Sequence, residues 1–198
     1  MANKMKSNIW TMSIVLLVIA SLSSSLLAVV YNLTKKPIEQ ANQKKTLDAL
    51  SMVMPKFDNE PLKEIIKVPS VTGDSLNCYV GRLNGKVVGV AIESITDKAF
   101  SGKFKIIVGI TPEGKIYNTI MLEHKETPGL GDKTEKSKSN WSEQFNDKDP
   151  QIFKLKVKKD GGDVDAITAA TISSRAYCHA VDLAYQNFTT IVKPKLEI

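Results

Sequence analysis

The chain has 198 residues, and its 27 lysines and arginines outnumber its 21 aspartates and glutamates to give a formal net charge of +6. This length holds one globular domain and an appendage. The lysines are not interleaved with aromatic residues as a nucleic-acid-binding face requires. We therefore expect a mildly basic surface and no nucleic-acid partner.

The two cysteines, Cys78 and Cys178, are far apart in the sequence, and neither belongs to a Cys-x-x-Cys pair. This spacing does not indicate a metal site. Two buried thiols are the expected state of these residues. A disulfide between them is the alternative for a domain that lies outside a membrane.

The N-terminal region carries no charged residue between Ser7 and Thr34. A spanning helix needs about 20 apolar residues, so we predict a transmembrane helix over residues 9–33 after a cytoplasmic N-terminus of residues 1–8. A cleaved signal peptide is the alternative, but the apolar sequence resumes directly after the serine cluster at residues 21–25. Lysines flank both ends of the helix, so the positive-inside rule favours neither orientation clearly. Because the folded domain follows the helix, we expect it on the outer side.

Residues 34–70 are predicted to form a juxtamembrane helix and a linker. Pro37 suits the first position of that helix, and Pro55 would end it. Residues 71–198 are predicted to form the soluble domain.

Strand patterns dominate the first half of the soluble domain. Residues 77–83 and 86–95 are predicted strands joined by Asn84-Gly85, a strong hairpin signal. Residues 104–110 and 115–123 form a second predicted pair, and the alternation of lysine with apolar residues over 154–159 predicts another strand. With a helix predicted at the C-terminal end, the fold class is α+β: an antiparallel sheet with a helix packed against it.

The segment of residues 165–174 is small, rich in hydroxyls and free of basic residues. The run that follows has helical spacing, with apolar residues at Ala176, Val181, Ala184, Phe188 and Ile191. Ser173 or Ser174 is the predicted N-cap of this helix. Thr171 would then lie beside a helix N-terminus, where free N–H groups and the dipole favour a phosphate. A helix cap without a ligand is the simpler interpretation of the same residues.

The second informative segment, residues 124–131, follows a predicted strand and reads His-Lys-Glu-Thr-Pro-Gly-Leu-Gly. Gly129 and Gly131 permit tight turns. Leu130 is an apolar side chain displayed on such a turn, and this placement suits stacking on a flat ring. A surface loop with a tucked-in leucine is the alternative, and His124 is more typical of a surface residue than of a ligand.

Residues 165–171 resemble the flavinylation motif Asp-x-x-Ser/Thr-Gly-Ala-Thr of a known FMN-binding domain. This domain occurs in the G subunit of Rnf-type electron transport complexes and in the C subunit of the sodium-translocating NADH:quinone reductase. Residues 124–131 are similar to the second signature of the same family. The resemblance covers essentially the whole chain, and the chain length favours the shorter Rnf protein.

The resemblance implies a covalent FMN, held through a phosphoester bond to Thr171 and installed by a dedicated flavin transferase. Ala169 stands where the family usually has glycine, and an alanine would be strained there if the position needs a positive φ. The other positions that the resemblance marks as cofactor-binding are Asp165, Thr168, Ala170 and Ile172 in the first motif and Glu126, Thr127, Leu130 and Gly131 in the second.

The function implied is a membrane-anchored flavoprotein subunit that relays electrons within an ion-translocating ferredoxin:NAD oxidoreductase. Its partners would be the other membrane and redox subunits, and its domain would lie on the periplasmic side of the cytoplasmic membrane. We expect no independent turnover, because Ser173, His179 and Asp182 do not place a nucleophile against an oriented base. The alternatives are the C subunit of the quinone reductase, a stand-alone extracytoplasmic flavin carrier, and a non-enzymatic envelope scaffold.

Overall fold

The structure is a computed structural model that describes residues 8–70, 73 and 75–198. The first seven residues of the predicted cytoplasmic N-terminus lie outside the described residues, as do residues 71, 72 and 74 at the start of the predicted soluble domain. The chain divides into two units, Met1–Lys45 and Thr46–Ile198.

The first helix, α1, runs over Ile9–Val53. It is long and apolar enough to cross a membrane, and none of its most apolar window is buried in the structure. Pro37 lies inside this helix, so the predicted helix start at Pro37 is wrong. Proline removes one backbone donor, but its fixed φ is helical, and the helix continues through it.

Five strands form one sheet in the order β1-β2-β3-β4-β5, and each strand is antiparallel to its neighbours. Their bounds are Ile65–Pro69, Ser75–Leu83, Lys86–Ala99, Gly102–Ile110 and Ile116–Glu123. The predicted Asn84-Gly85 hairpin is confirmed, with φ of 51° and 77° at the two turn residues, as a primed turn requires. The edge strand β1 was not predicted.

The second long helix, α2, runs over Thr171–Asn187. A π-helical turn, Phe188–Val192, and a short helix α3, Lys193–Leu196, follow it. Buried apolar side chains of α2 pack on one face of the sheet in a core that includes Val90, Ile92, Ile106, Val108, Tyr177, Val181 and Ala184. The α+β prediction, with an antiparallel sheet and a C-terminal helix, is confirmed.

The other face of the sheet is covered by the C-terminal end of α1. Leu50 and Val53 are fully buried there against Tyr79, Ala91 and Ile107. Gly109 of β4 allows this contact, because a Cβ at that position would overlap the backbone carbonyl of Val53. The sheet is therefore covered on both faces within the unit that begins at Thr46.

The predicted strand over residues 154–159 is wrong. The segment forms a single bridge between Val157 and Val164 and a short 3-10 turn, Lys158–Asp160. Gly161 then turns the chain with φ 78°, and Gly162 packs so closely on Lys156 that a Cβ would overlap its backbone. The tight glycine turn returns the chain onto itself before a strand can extend.

Both cysteines are free and buried, as predicted. Burial raises the pKa of the Cys78 thiol to about 12 and that of Cys178 to about 12. These groups remain protonated and unreactive at neutral pH.

Gly109→Ala should destabilise the domain, because the new methyl group meets backbone atoms of Val53 that cannot move aside without displacing the end of α1. We expect a loss of about 1–3 kcal/mol, the usual range for overpacking, measured by chemical denaturation of the full chain in detergent. Gly81→Ala is the matched control, since its new Cβ would meet mainly the Met54 side chain. An equal loss in both variants would contradict the close approach at Gly109.

Candidate functional site

A cavity of about 280 Å³ lies where the β3–β4 turn, the loop after β5 and the start of α2 meet. Both sequence motifs contribute to it. The β3–β4 turn contributes Phe100. The loop after β5 contributes Glu126, Thr127, Leu130 and Gly131, and the start of α2 and the turn before it contribute Ala169, Ala170, Thr171, Ile172 and Ser173. We call this cavity the motif pocket.

The first turn of α2 differs from the prediction. The helix begins at Thr171, its N-cap is Ala170, and no side chain caps it. Ser174 instead accepts a hydrogen bond from the Ile167 N–H at 2.9 Å and donates one to the Ala170 carbonyl at 3.0 Å. The predicted N-cap role of Ser173 or Ser174 is wrong, because both residues lie inside the first turns of α2, and the Ser173 hydroxyl donates to Glu126 instead.

The uncapped start leaves backbone donors at the motif pocket. Ser174 is the first residue of α2 whose backbone N–H has a backbone acceptor: it donates to the Ala170 carbonyl at 3.0 Å. The N–H groups of Thr171, Ile172 and Ser173 have no partner among the described residues. Orphan N–H groups at the positive end of a helix dipole form an anion site.

The two motifs form turns of the same construction. Thr127 and Leu130 close one turn through a hydrogen bond of 3.2 Å, with Gly129 at its third position and φ 79°. The second turn is closed by the Ala170 N–H and the Ile167 carbonyl at 3.0 Å, with Ala169 at its third position and φ 62°. Ala169 thus occupies the left-handed region that favours glycine.

Glu126 connects the three segments that line the motif pocket. One carboxylate oxygen accepts a hydrogen bond from the Ser101 N–H at 2.9 Å, beside Phe100 in the β3–β4 turn. The other accepts a hydrogen bond from the Ser173 hydroxyl in α2. Gly131 makes room for this contact, because a Cβ there would overlap both the Glu126 carboxylate and the Ser173 hydroxyl.

His124 lies behind Glu126 and outside the pocket lining. Its Nδ1 accepts a hydrogen bond from the Glu126 N–H at 3.0 Å, so its Nε2 carries the proton and donates to Glu135 at 2.7 Å. Burial alone would raise the pKa of Glu135, but hydrogen bonds from Ser137 and His124 outweigh it and hold this pKa below its usual value. His124 therefore supports the loop backbone.

Two motif residues, Asp165 and Thr168, do not line the pocket. The Asp165 carboxylate is exposed and pairs with Lys158 at 2.8 Å. Its backbone is held by Trp141, whose indole N–H donates to the Asp165 carbonyl at 2.6 Å, and by Gln144, which accepts from the Asp165 N–H at 2.8 Å. Thr168 is exposed in the turn that carries Ala169.

Sequence reasoning missed two residues of the motif pocket. Phe100 is 66% exposed at the tip of the β3–β4 hairpin. The sequence pattern that could have indicated it is an aromatic residue directly before the turn residues Ser101-Gly102. Ser173 was interpreted as a cap, whereas its hydroxyl binds the buried Glu126. No local pattern links Ser173 to Glu126 because the two residues are far apart in the sequence.

Ser173, His179 and Asp182, the three residues considered for a nucleophile–base pair, each bind a different side chain. Ser173 binds Glu126, His179 binds Thr96 at 2.9 Å, and Asp182 binds Gln186 at 2.8 Å. Within residues 8–70, 73 and 75–198, no group of histidine, cysteine, aspartate and glutamate side chains could hold a metal ion.

Ala169→Gly should stabilise the protein, because glycine adopts the left-handed backbone of this turn without the Cβ penalty. A left-handed non-glycine residue costs about 1–2 kcal/mol, and the greater unfolded-chain entropy of glycine offsets part of it. We expect a gain of about 0.5–1 kcal/mol in the free energy of unfolding. Ala170→Gly is the control: its φ is −132°, so it should lose stability. A loss in both variants would refute strain at Ala169.

Gly131→Ala should open the contact between Glu126 and Ser173, since the added methyl group and these side chains cannot occupy the same space. We expect a loss of about 1–3 kcal/mol in stability, measured by thermal unfolding. Gly129→Ala serves as a comparison, because its Cβ meets open space and only its φ of 79° is strained. If Gly131→Ala is as stable as Gly129→Ala, the packing argument fails.

Two family profiles match separate parts of the chain. A profile of the FMN-binding domain matches residues 100–186, which include the whole motif pocket. A profile of the RnfG N-terminal region matches residues 5–53, which include α1.

Relatives match the chain over most of its length. The chain is 38% identical to the G subunit of the ion-translocating oxidoreductase complex of Vibrio atlanticus, over 94% of this chain and 91% of the relative. It is 37% identical to the same protein of Shewanella piezotolerans, over 91% and 89%, and 36% identical to that of Vibrio cholerae, over 87% of each. The chain belongs to the RnfG family, the G subunits of ion-translocating oxidoreductase complexes.

Proposed function

We propose that this chain is the FMN-carrying subunit of an ion-translocating oxidoreductase complex, and that it holds FMN covalently through the hydroxyl of Thr171. It relays electrons to and from other redox subunits and turns over no substrate alone. A flavin transferase installs the cofactor. The domain lies on the periplasmic side of the cytoplasmic membrane, with α1 as its anchor.

The start of α2 is the observation that carries the proposal. Three backbone N–H groups have no partner among the described residues, and Thr171, the first residue of the helix, lines the motif pocket. Its hydroxyl forms no hydrogen bond with any described residue. A phosphate esterified to this hydroxyl would lie at the free N–H groups, which stabilise an anion by about 0.3–1 kcal/mol where it is exposed.

The rest of the motif pocket fits the flat part of a flavin. Leu130, Ile172 and Phe100 present exposed apolar side chains around it. A volume of about 280 Å³ is just below the roughly 300–1,000 Å³ that ligand cavities offer. The pocket can therefore enclose only part of the cofactor, and the remaining part would face a partner.

When bound, FMN supplies one- and two-electron redox chemistry. The residues of this chain would hold and orient it, with the start of α2 as the phosphate site and Phe100, Leu130 and Ile172 as the apolar contacts of the ring. A covalent link keeps the cofactor at an effective concentration on the order of mM, even where a released flavin would diffuse away.

Thr171→Ala should abolish covalent flavinylation, because it removes the attachment oxygen. The full chain is co-expressed with a flavin transferase, purified in detergent and measured by intact mass and in-gel flavin fluorescence. The wild type should gain the mass of one FMN less one water. Thr168→Ala is the matched control, since it removes a nearby hydroxyl outside the pocket lining and should leave the increment in place.

Two outcomes would contradict the proposal. A wild-type chain without the mass increment would refute the covalent link. A colourless wild-type protein, with no flavin absorbance despite the transferase, would favour a tethered envelope scaffold whose hydroxyl cluster only begins a helix. Complex subunits that copurify with the chain would distinguish the oxidoreductase complex from a stand-alone carrier.

A further inference from the structure

Glu126 is a buried carboxylate in the wall of the motif pocket. It is 6% exposed, and among the described residues that line the pocket it alone carries a titratable side chain. We infer that its negative charge acts on the cofactor in the pocket and lowers the cofactor's reduction potential. This inference rests on the proposed function only for the identity of the cofactor.

The contacts of Glu126 are those of an ionised carboxylate. Both oxygens accept hydrogen bonds, one from the Ser101 N–H at 2.9 Å and the other from the Ser173 hydroxyl. An ionised carboxylate is an acceptor only, and these two neutral donors match that requirement. The donors stabilise the charge without cancelling it.

No described cation pairs with Glu126. The ion pairs of the described chain involve other carboxylates, such as Glu93 with Lys105 and Glu64 with Arg82. Burying a charge without a counter-charge costs free energy. A glutamine would fill the same space and form hydrogen bonds at lower desolvation cost, so packing alone does not account for a carboxylate here.

The surroundings are arranged to keep this carboxylate in place. Gly131 leaves the space that the carboxylate occupies, and Ser173 reaches it from the first turn of α2. The Glu126 N–H is held by His124 at 3.0 Å. These contacts fix the charge between the β3–β4 turn, the second motif and the residue two positions after Thr171.

The effect on the cofactor follows from electrostatics. A negative charge disfavours the addition of electrons to a neighbouring group, and the interaction is stronger where little water screens it. Glu126 is therefore a positioning residue that joins the pocket walls and also sets the electrostatic field inside them.

The test compares two variants that each remove one negative charge from the full, FMN-loaded chain in detergent. Glu126→Gln should shift the flavin midpoint potential to more positive values. Glu123→Gln is the matched control, because Glu123 is exposed at the end of β5 and lies outside the pocket lining; its shift should be much smaller. Equal shifts in the two variants would overturn the inference.

Two further variants separate charge from contact. Ser173→Ala and Glu126→Asp change the hydrogen bonding of the carboxylate but keep its charge, so neither should reproduce the positive shift of Glu126→Gln. A positive shift of the same size in Ser173→Ala would show that the contact sets the potential, and would overturn the inference. Where Glu126→Gln does not fold, a positive shift in either charge-keeping variant would still overturn the inference, and thermal unfolding of each variant reports its folding.

The intact mass of each preparation separates this inference from the proposed attachment. A wild type that binds FMN without the mass increment refutes the covalent link, yet its midpoint potential still decides the role of Glu126. A wild type that takes up no flavin in either form overturns both proposals.

Discussion

The packing of α2 on the sheet is the constraint on which the site depends. Tyr177, one turn and a half into the helix, is fully buried, and its hydroxyl donates to Thr119 of β5 at 2.9 Å. Its ring packs edge-on against Phe104 and Trp141, with centroids 6.0 and 5.2 Å away, in the geometry that aromatic pairs favour. Because these contacts fix the body of the helix, they also fix where its first turn presents its free N–H groups.

The same aromatic cluster fixes the segment that leads into the helix. Trp141 packs on Tyr177 and donates its indole N–H to the Asp165 carbonyl. The buried Ser174 hydroxyl of α2 then accepts a hydrogen bond from the Ile167 N–H and so connects the turn at Ile167 to the helix. The chain therefore enters α2 along one path, and a left-handed residue at Ala169 is what that path requires. The strain is local, and the surrounding hydrogen bonds stabilise it.

Much of the domain could be predicted from the sequence because its signals are local. The alternation in β2 to β5, the Asn84-Gly85 turn and the apolar period of α2 each depend on neighbouring residues. The errors have different origins. Nothing near Ser173 shows that its hydroxyl binds the distant Glu126. The error over residues 154–159 is local, because the alternation of lysine with apolar residues outweighed the Gly161-Gly162 turn that packs back on Lys156. The helix start predicted at Pro37 was wrong because proline is favoured at the first position of a helix but is also tolerated in the interior of some helices.

The two buried thiols affect where this domain can fold. Cys78 and Cys178 lie in the same apolar core, unpaired, and burial keeps both of them protonated. Since disulfide exchange needs a thiolate with access to a partner, the native domain neither depends on oxidative folding enzymes nor offers them a target. The fold is thus compatible with reducing and oxidising compartments alike, and its stability comes from side-chain packing instead of covalent cross-links.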